Sequence, residues 1–169
     1  MTSRTEARVD RTLEAIEQWI IIPLLACLLA FITVGVFIQV VMRYVFATSF
    51  LWGEELSLFA FIWSVFLGAV VGVRRRIHLG FDFLPELLTG RWAVAQRLVI
   101  NLSILAVALL LLLEGWTFAL LSVQRLSPAL GISLFVPTLV IPISGGLMSL
   151  IALRDLAQDV RQLVAVRSN

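Results

Sequence analysis

The chain has 169 residues, of which 60% are hydrophobic and only 14% are charged, and its mean hydropathy is +1.02. Such values exclude an ordinary soluble globular domain. The formal net charge is +2, and because the thirteen arginines flank apolar runs instead of gathering on one solvated face, binding to nucleic acid is not expected.

Four long runs without charged residues predict four membrane-spanning helices. The runs contain 25, 18, 27 and 28 residues, and only the third is interrupted, by Glu114. About 20 apolar residues cross the roughly 30 Å hydrocarbon core, and a helix satisfies its own backbone hydrogen bonds there. We therefore expect an all-α membrane protein, a single four-span domain over residues 1–169 with spans at about 19–42, 55–73, 97–124 and 132–153.

The residues before the first span predict an amphipathic helix. Val9, Leu13 and Ile16 recur at helical spacing among charged residues, so this helix should lie along the inner membrane face and lead to Trp19 as an interfacial anchor. The first apolar run is too long for the core of a signal peptide, and we expect it to be a retained span.

The turn between the first two spans places opposite charges close together in the sequence. Arg43 ends the first span, where the helix dipole favours a cation, and Glu54 and Glu55 begin the second, where it favours acids. Trp52 precedes them at the outer surface. After a tight antiparallel turn, Arg43 should meet Glu54 or Glu55 at the same depth.

Small residues form a stripe on the second predicted span. Ser64, Gly68 and Gly72 recur every four residues, and Gly68 and Gly72 make a GxxxG pair. Small residues at this spacing let helix backbones approach closely in lipid. The stripe predicts either an interface with another subunit or packing inside this chain's own bundle, and the sequence leaves both open.

The loop after the second span reads as an inner surface segment. Arg74, Arg75 and Arg76 are placed to reach anionic headgroups, so membrane lipids are expected partners. Apolar residues at helical spacing within 77–88 predict a short helix in the membrane plane.

The two remaining spans carry the polar and helix-breaking residues. Glu114 lies 17 residues above Arg97, or about 26 Å, which predicts a position near the outer headgroups and a structural polar contact in preference to an ion relay. The fourth span contains Pro137 and Pro142, so a bent helix is expected.

Residues for chemistry are scarce. The chain has one cysteine, Cys27, and one histidine, His78, which we expect to make a structural hydrogen bond at a helix end. A haem would need paired axial ligands, and a hydrolase would need a nucleophile with a base or a metal. We therefore expect no enzyme activity, catalytic residue, cofactor or metal site.

The distribution of arginines predicts the topology. Eleven of the thirteen fall before the first span, in the middle loop or after the fourth span. The positive-inside rule assigns these segments to the cytoplasm. Both termini should therefore be cytoplasmic.

Several motifs follow one another along the chain: an R-Y-V-F turn at 43–46, Trp52 with Glu54 and Glu55, F-L-G-A at 66–69, Arg75 with His78 and Asp82, and an S-P-A-L-G-I stretch that includes Pro128 and Gly131. In this order they resemble the small membrane subunit (DctQ type) of tripartite ATP-independent periplasmic, or TRAP, transporters. The likeness covers about residues 12–155. It departs from the family pattern at Ser133, where many relatives have proline.

This resemblance implies an accessory scaffold subunit for sodium-coupled uptake of a carboxylate-type solute across the bacterial inner membrane. It implies two partners: a separately encoded large membrane subunit, which carries the substrate and sodium sites, and a periplasmic binding protein. The residues named above would then be structural or subunit-interface residues. The alternative is a self-sufficient small transporter that couples solute to a proton or another ion through Glu114.

Overall fold

The computed structural model describes residues 14–75 and 91–167. Within these ranges the α-helices are α1 (Ile22–Val45), α2 (Leu51–Arg74), α3 (Arg91–Leu121), α4 (Phe135–Thr138) and α5 (Val140–Arg167). A π-helical turn, Glu17–Ile21, precedes α1. The predictions for His78 and Asp82, for the middle-loop helix and for most of the N-terminal interfacial helix lie outside the described residues.

Among the described residues, four helical segments are long and apolar enough to cross a membrane, which confirms the predicted all-α, four-span class. The first contains α1, the second is α2, the third is the Leu98–Leu121 part of α3, and the fourth runs from α4 into α5 as far as Val160. The first of these helices starts at Glu14, so its inner turns continue the span through the π-helical turn. We call the end of the bundle that carries Arg74 the inner end and the end that carries Glu54 the outer end, following the predicted topology.

A tight turn joins α1 to α2 at the outer end. The backbone N–H of Thr48 donates to the carbonyl of Met42 at 3.1 Å, and Ala47 has a φ of 49°. The ring of Phe50 then folds over Gly53, where a Cβ would stand 2.2 Å from the ring. A larger residue at this position would have to displace the Phe50 ring.

The closest helix packing within the chain joins α3 and α5. A Cβ at Gly145 would stand 2.6 Å from the backbone nitrogen of Leu112, and one at Gly115 would stand 2.7 Å from the side chain of Ile141. Ala119 on α3 is also fully buried. Small residues thus bring these two backbones into contact, as expected for helices associating in lipid.

The fourth predicted span is interrupted at Leu139, between α4 and α5, which agrees with the bend expected from its prolines. Pro142 has no N–H and cannot donate to the carbonyl of Thr138, so the helical ladder is weakened at this point. The indole N–H of Trp63 on α2 donates to the carbonyl of Val136 at 3.3 Å and ties α4 to the bundle.

The helices pack in the order α1, α2, α5, α3. Helix α2 contacts both α1 and α5, and α5 contacts both α2 and α3, whereas no packing of comparable extent joins α1 to α3 or α5 among the described residues. Helices α1 and α3 therefore lie at the two ends of a row, and each leaves much of its circumference open.

Candidate functional site

The outer end of the α1–α2 pair is held by an ion pair. Arg43 Nη2 lies 3.3 Å from Glu54 Oε1, so the opposite charges meet as the turn geometry predicted. Both side chains are largely exposed, and such a pair contributes little by itself. The ring centroid of Trp52 lies 4.1 Å from that of Phe50, which precedes α2.

Glu55 has a different partner from Glu54. Its carboxylate accepts hydrogen bonds from the hydroxyl of Ser127 and from the backbone amides of Ala129 and Leu130, the last two at 3.1 and 3.0 Å. Three donors from one loop converge on one side chain of α2. Glu55 is therefore the anchor of the loop between α3 and α4.

This outer loop has its own internal order. Gly131 has a φ of 67°, a conformation that favours glycine, and its N–H donates to the carbonyl of Ser127. Ser133 donates its hydroxyl to the carbonyl of Val123 and accepts from the amide of Phe135. A hydroxyl thus organises the backbone around residue 133. Pro128 lies beside Glu55 in an open cleft of about 200 Å³.

At the inner end, a buried carboxylate binds two of the three consecutive arginines. Glu17, in the π-helical turn, is 6% exposed; it accepts a charged hydrogen bond from Arg74 and another from Arg75 Nε at 2.9 Å. Glu14 lies 3.8 Å from Arg74 as a second acid. The expectation that these arginines are directed at lipid headgroups is therefore wrong for Arg74, whose side chain is only 14% exposed.

A third polar contact joins α1 to α2 between these ends. Gln39 Nε2 donates to the hydroxyl of Ser57 at 2.9 Å, and a Cβ at Gly35 would stand 3.1 Å from the same hydroxyl. No residue of α1 itself is buried. Polar contacts at three depths, together with one close approach of the backbone, therefore hold α1 on α2.

The small-residue stripe of α2 does not lie on one kind of surface. Ser64 is buried and donates to the carbonyl of Phe61 in its own helix. A Cβ at Gly68 or Gly72 would meet nothing within 4 Å. Packing inside this bundle, one of the two readings of the stripe, is therefore excluded for the two glycines within the described part of the chain.

Glu114 lies level with the middle of α2, about 15 Å from the inner end of the bundle, so the expectation that it lies near the outer headgroups is wrong. Its neighbour Gly115 packs directly against Ile141. Along α5, Ile141 precedes Ile151 by ten residues, or about 15 Å. Ile151 lines a small cavity beside Arg74 and so marks the inner end.

The predicted depth of Glu114 was wrong because it was measured from Arg97, which was assumed to lie at the inner membrane surface. The amide of Asn101 on α3 is hydrogen-bonded to Asp159, which lies a further eight residues, about 12 Å, beyond Ile151. The inner turns of α3 therefore extend past the inner end of α2, alongside α5. At the other end, Glu114 lies eight residues, again about 12 Å, below Ser122, where α3 has ended.

Sequence reasoning missed three polar residues that hold helices together: Glu17, Gln39 and Asp159. Each lies at or near the end of an apolar run and looks like an ordinary boundary residue. Of the three, only Glu17 could have been predicted from the sequence. It lies at the start of the first span, and because the second span is antiparallel, the arginines at the end of that span lie at the same depth. Among the described residues no group of three or more His, Cys, Asp or Glu side chains is arranged to hold a metal ion.

The family model of the tripartite ATP-independent periplasmic transporters, DctQ component, matches residues 32–162. The chain is 34% identical over 112 residues to the C4-dicarboxylate TRAP transporter small permease protein DctQ of Vibrio cholerae, which covers 66% of this chain and 47% of that protein. It is 25% identical over 154 residues to the sialic acid TRAP transporter small permease protein SiaQ of the same species, covering 91% and 87%.

A third relative is much longer than this chain. The isethionate TRAP transporter permease protein DctMQ of Oleidesulfovibrio alaskensis is 31% identical over 117 residues, which is 68% of this chain and 18% of that protein. The match thus spans about half of the C4-dicarboxylate relative and less than a fifth of the isethionate relative.

Proposed function

The chain belongs to the DctQ component family of the tripartite ATP-independent periplasmic transporters, and on that premise we propose that it is the small permease subunit of such a transporter. The observation that carries the proposal is the family match over 131 of its 169 residues, 32–162. We propose a multi-pass location in the bacterial inner membrane with both termini in the cytoplasm.

Two partners belong to this proposal: a large membrane subunit and a periplasmic substrate-binding protein. The chain matches only 18% of the permease DctMQ, which supports the idea that a sequence of this kind works beside a larger membrane component. In this assignment the substrate and coupling-ion sites belong to the large subunit, and the present chain enlarges the immobile part of the permease.

The proposed solute is a carboxylate, and uptake is proposed to be coupled to sodium. Two of the relatives are named for C4-dicarboxylate and sialic acid, both of which carry carboxylates, which supports the first part. Another is named for isethionate, a sulfonate, so a sulfonate is the first competitor to include in a transport assay. Sodium coupling rests on the family resemblance alone.

We propose that the open glycines of α2 contact the large subunit. Gly68 and Gly72 present bare backbone on a helix face that no other part of the described chain covers. Close backbone approach is a main source of helix association in lipid. The polar residues around Glu54, Glu55 and Arg75 have structural roles in this scheme, because their partners lie within the chain.

The proposal is tested by reconstitution. Proteoliposomes that hold the large subunit, the binding protein and this chain should accumulate the solute in response to a sodium gradient, and omission of this chain should abolish uptake. Liposomes with this chain alone should show no flux. Flux through the isolated chain would instead establish the second candidate, a self-sufficient transporter, which the position of Glu114 near mid-membrane favours.

A further inference from the structure

Glu114 is an acid on a membrane-spanning helix, and it takes no part in the polar contacts described above. It is exposed, and among the described residues it makes no hydrogen bond or ion pair. It lies roughly 12 Å below Ser122, where α3 has ended, and roughly 15 Å above the level of Arg74 at the inner end. Its short side chain cannot reach an interface over that distance, as the longer side chains of lysine and arginine near helix ends do.

The surroundings of Glu114 on α3 are apolar. The residues one and two turns away on the same face are exposed hydrophobic side chains: Val107, Leu110, Phe118 and Leu121. A different face of α3, about 100° around the helix from Glu114, packs on α5 through Gly115. Glu114 is therefore the single acid in the middle of an open apolar helix face.

Neither of the two hydroxyl side chains on this face of α3 is free to serve the carboxyl. Thr117, one turn away, donates its hydroxyl to the carbonyl of Leu113 at 3.2 Å. Ser103, three turns below, donates to the carbonyl of Val99. The hydroxyl hydrogens of both residues are thus used by the backbone of their own helix.

We propose that this face of α3 docks on the large membrane subunit and that Glu114 binds a basic or hydrogen-bond-donating side chain of that subunit near the middle of the bilayer. An ionisable group at this depth is costly unless it has a polar partner. Lipid acyl chains offer no donor, whereas a helix of another membrane protein does. Charge complementarity therefore selects a protein occupant for the face over lipid.

This inference rests on the proposed function, and it predicts opposite effects on the isolated chain and on the complex. Glu114→Leu removes an unsatisfied polar group from the isolated chain, so the melting temperature of the purified chain in detergent should stay the same or rise. The same variant leaves the partner's polar group unsatisfied, so recovery of the large subunit with it should fall by roughly 3- to 30-fold, the range for one interhelical hydrogen bond in lipid. Glu114→Gln keeps hydrogen-bonding capacity and should retain more of the complex.

Site-specific photocrosslinking locates the face. A photoreactive amino acid at Leu110 or Phe118, on either side of Glu114, should crosslink to the large subunit in native membranes. The matched controls are Leu109 and Leu120, which are also exposed on α3 but lie well around the helix from Glu114. They should crosslink less.

The outcomes separate this inference from the proposed function. If wild-type chain recovers the large subunit while Glu114→Leu recovers equally much, or if Leu110 and Phe118 crosslink no better than the controls or only to a second copy of this chain, the docking face is wrong and the proposed function stands. If the wild-type chain recovers no large subunit, the proposed function fails first. If the Gln variant assembles fully but loses sodium coupling, Glu114 belongs to the transport path, and the docking role is overturned.

Discussion

The carboxylate of Glu55 accepts a hydrogen bond at 3.0 Å from the backbone amide of Leu130, 75 residues later in the chain. The first turns of α2 thereby hold the outer loop that leads from α3 into α4. The neighbouring Glu54 instead pairs with Arg43 in the adjacent helix. Two consecutive acids thus stabilise two different connections of the fold.

Glu55→Ala should loosen the outer loop and lower the thermal stability of the purified protein by more than Glu54→Ala does. The reason is that the Glu55 substitution removes the acceptor of the buried Ser127 hydroxyl and of two backbone amides, whereas the pair made by Glu54 is exposed. Melting curves in detergent compare the two variants. Equal melting temperatures would contradict the anchoring role of Glu55.

Gly145→Ala should separate α3 from α5, whereas Gly146→Ala should be tolerated. A Cβ at Gly145 would stand 2.6 Å from the backbone nitrogen of Leu112, which cannot move aside. A Cβ at Gly146 would stand 3.7 Å from the end of the Leu112 side chain. Overpacking of this kind costs about 1–3 kcal/mol. The ratio of folded protein recovered for the two variants measures it, and similar recovery would show that the helices are farther apart.

Glu17→Ala should destabilise the inner end. Two acids pair with the nearly buried guanidinium of Arg74, and this variant removes the nearer one while the more distant Glu14 remains. Removing one partner of a buried ion pair costs on the order of 2 kcal/mol or more. Glu14→Ala is the matched control, because its pair with Arg74 is long and largely exposed. Chemical unfolding in detergent provides the measurement, and a larger loss for Glu14→Ala would reverse the assignment.

The topology is tested with single cysteines in a Cys27→Ser background. Cysteines at Ser49 and Ala129, in the two outer turns, should react with an impermeant thiol reagent added from the periplasm, because the arginine distribution places these turns outside. Ala129 is used because the neighbouring Ser127 is buried. A cysteine at Thr89 should be protected, and its labelling in intact cells would overturn the predicted orientation.

Gly68→Leu with Gly72→Leu should leave this chain folded but reduce its recovery with the large subunit. Nothing lies within 4 Å of either Cβ position, so there is open space at both positions for a larger side chain. The added side chains would push away a helix that approaches α2 from outside. Gel filtration of the isolated variant controls for folding, and unchanged recovery of the complex would remove α2 from the interface.

The sequence alone determined the features that depend on distance along the chain. A run of uncharged residues as long as the bilayer is thick predicts a span, so the four-span class was predictable. A short turn between two spans brings their ends to the same depth, so the pair between Arg43 and Glu54 was also predictable. The ordered motifs, from the Arg43 turn to Gly131, sufficed for the family.

Only the tertiary structure decided which helices are neighbours. The contacts of Glu17 and Glu55 join residues 57 to 75 positions apart in the sequence. An apolar run does not indicate which of its faces contacts another helix, because lipid and the protein interior both favour apolar side chains. The depth of Glu114 required the packing of α3 on α5, since a helix that continues beyond the membrane has no boundary in its own sequence. The sequence gives the distance between two residues along one helix, whereas the depth of a residue in the bundle and its contacts depend on the helices packed against it.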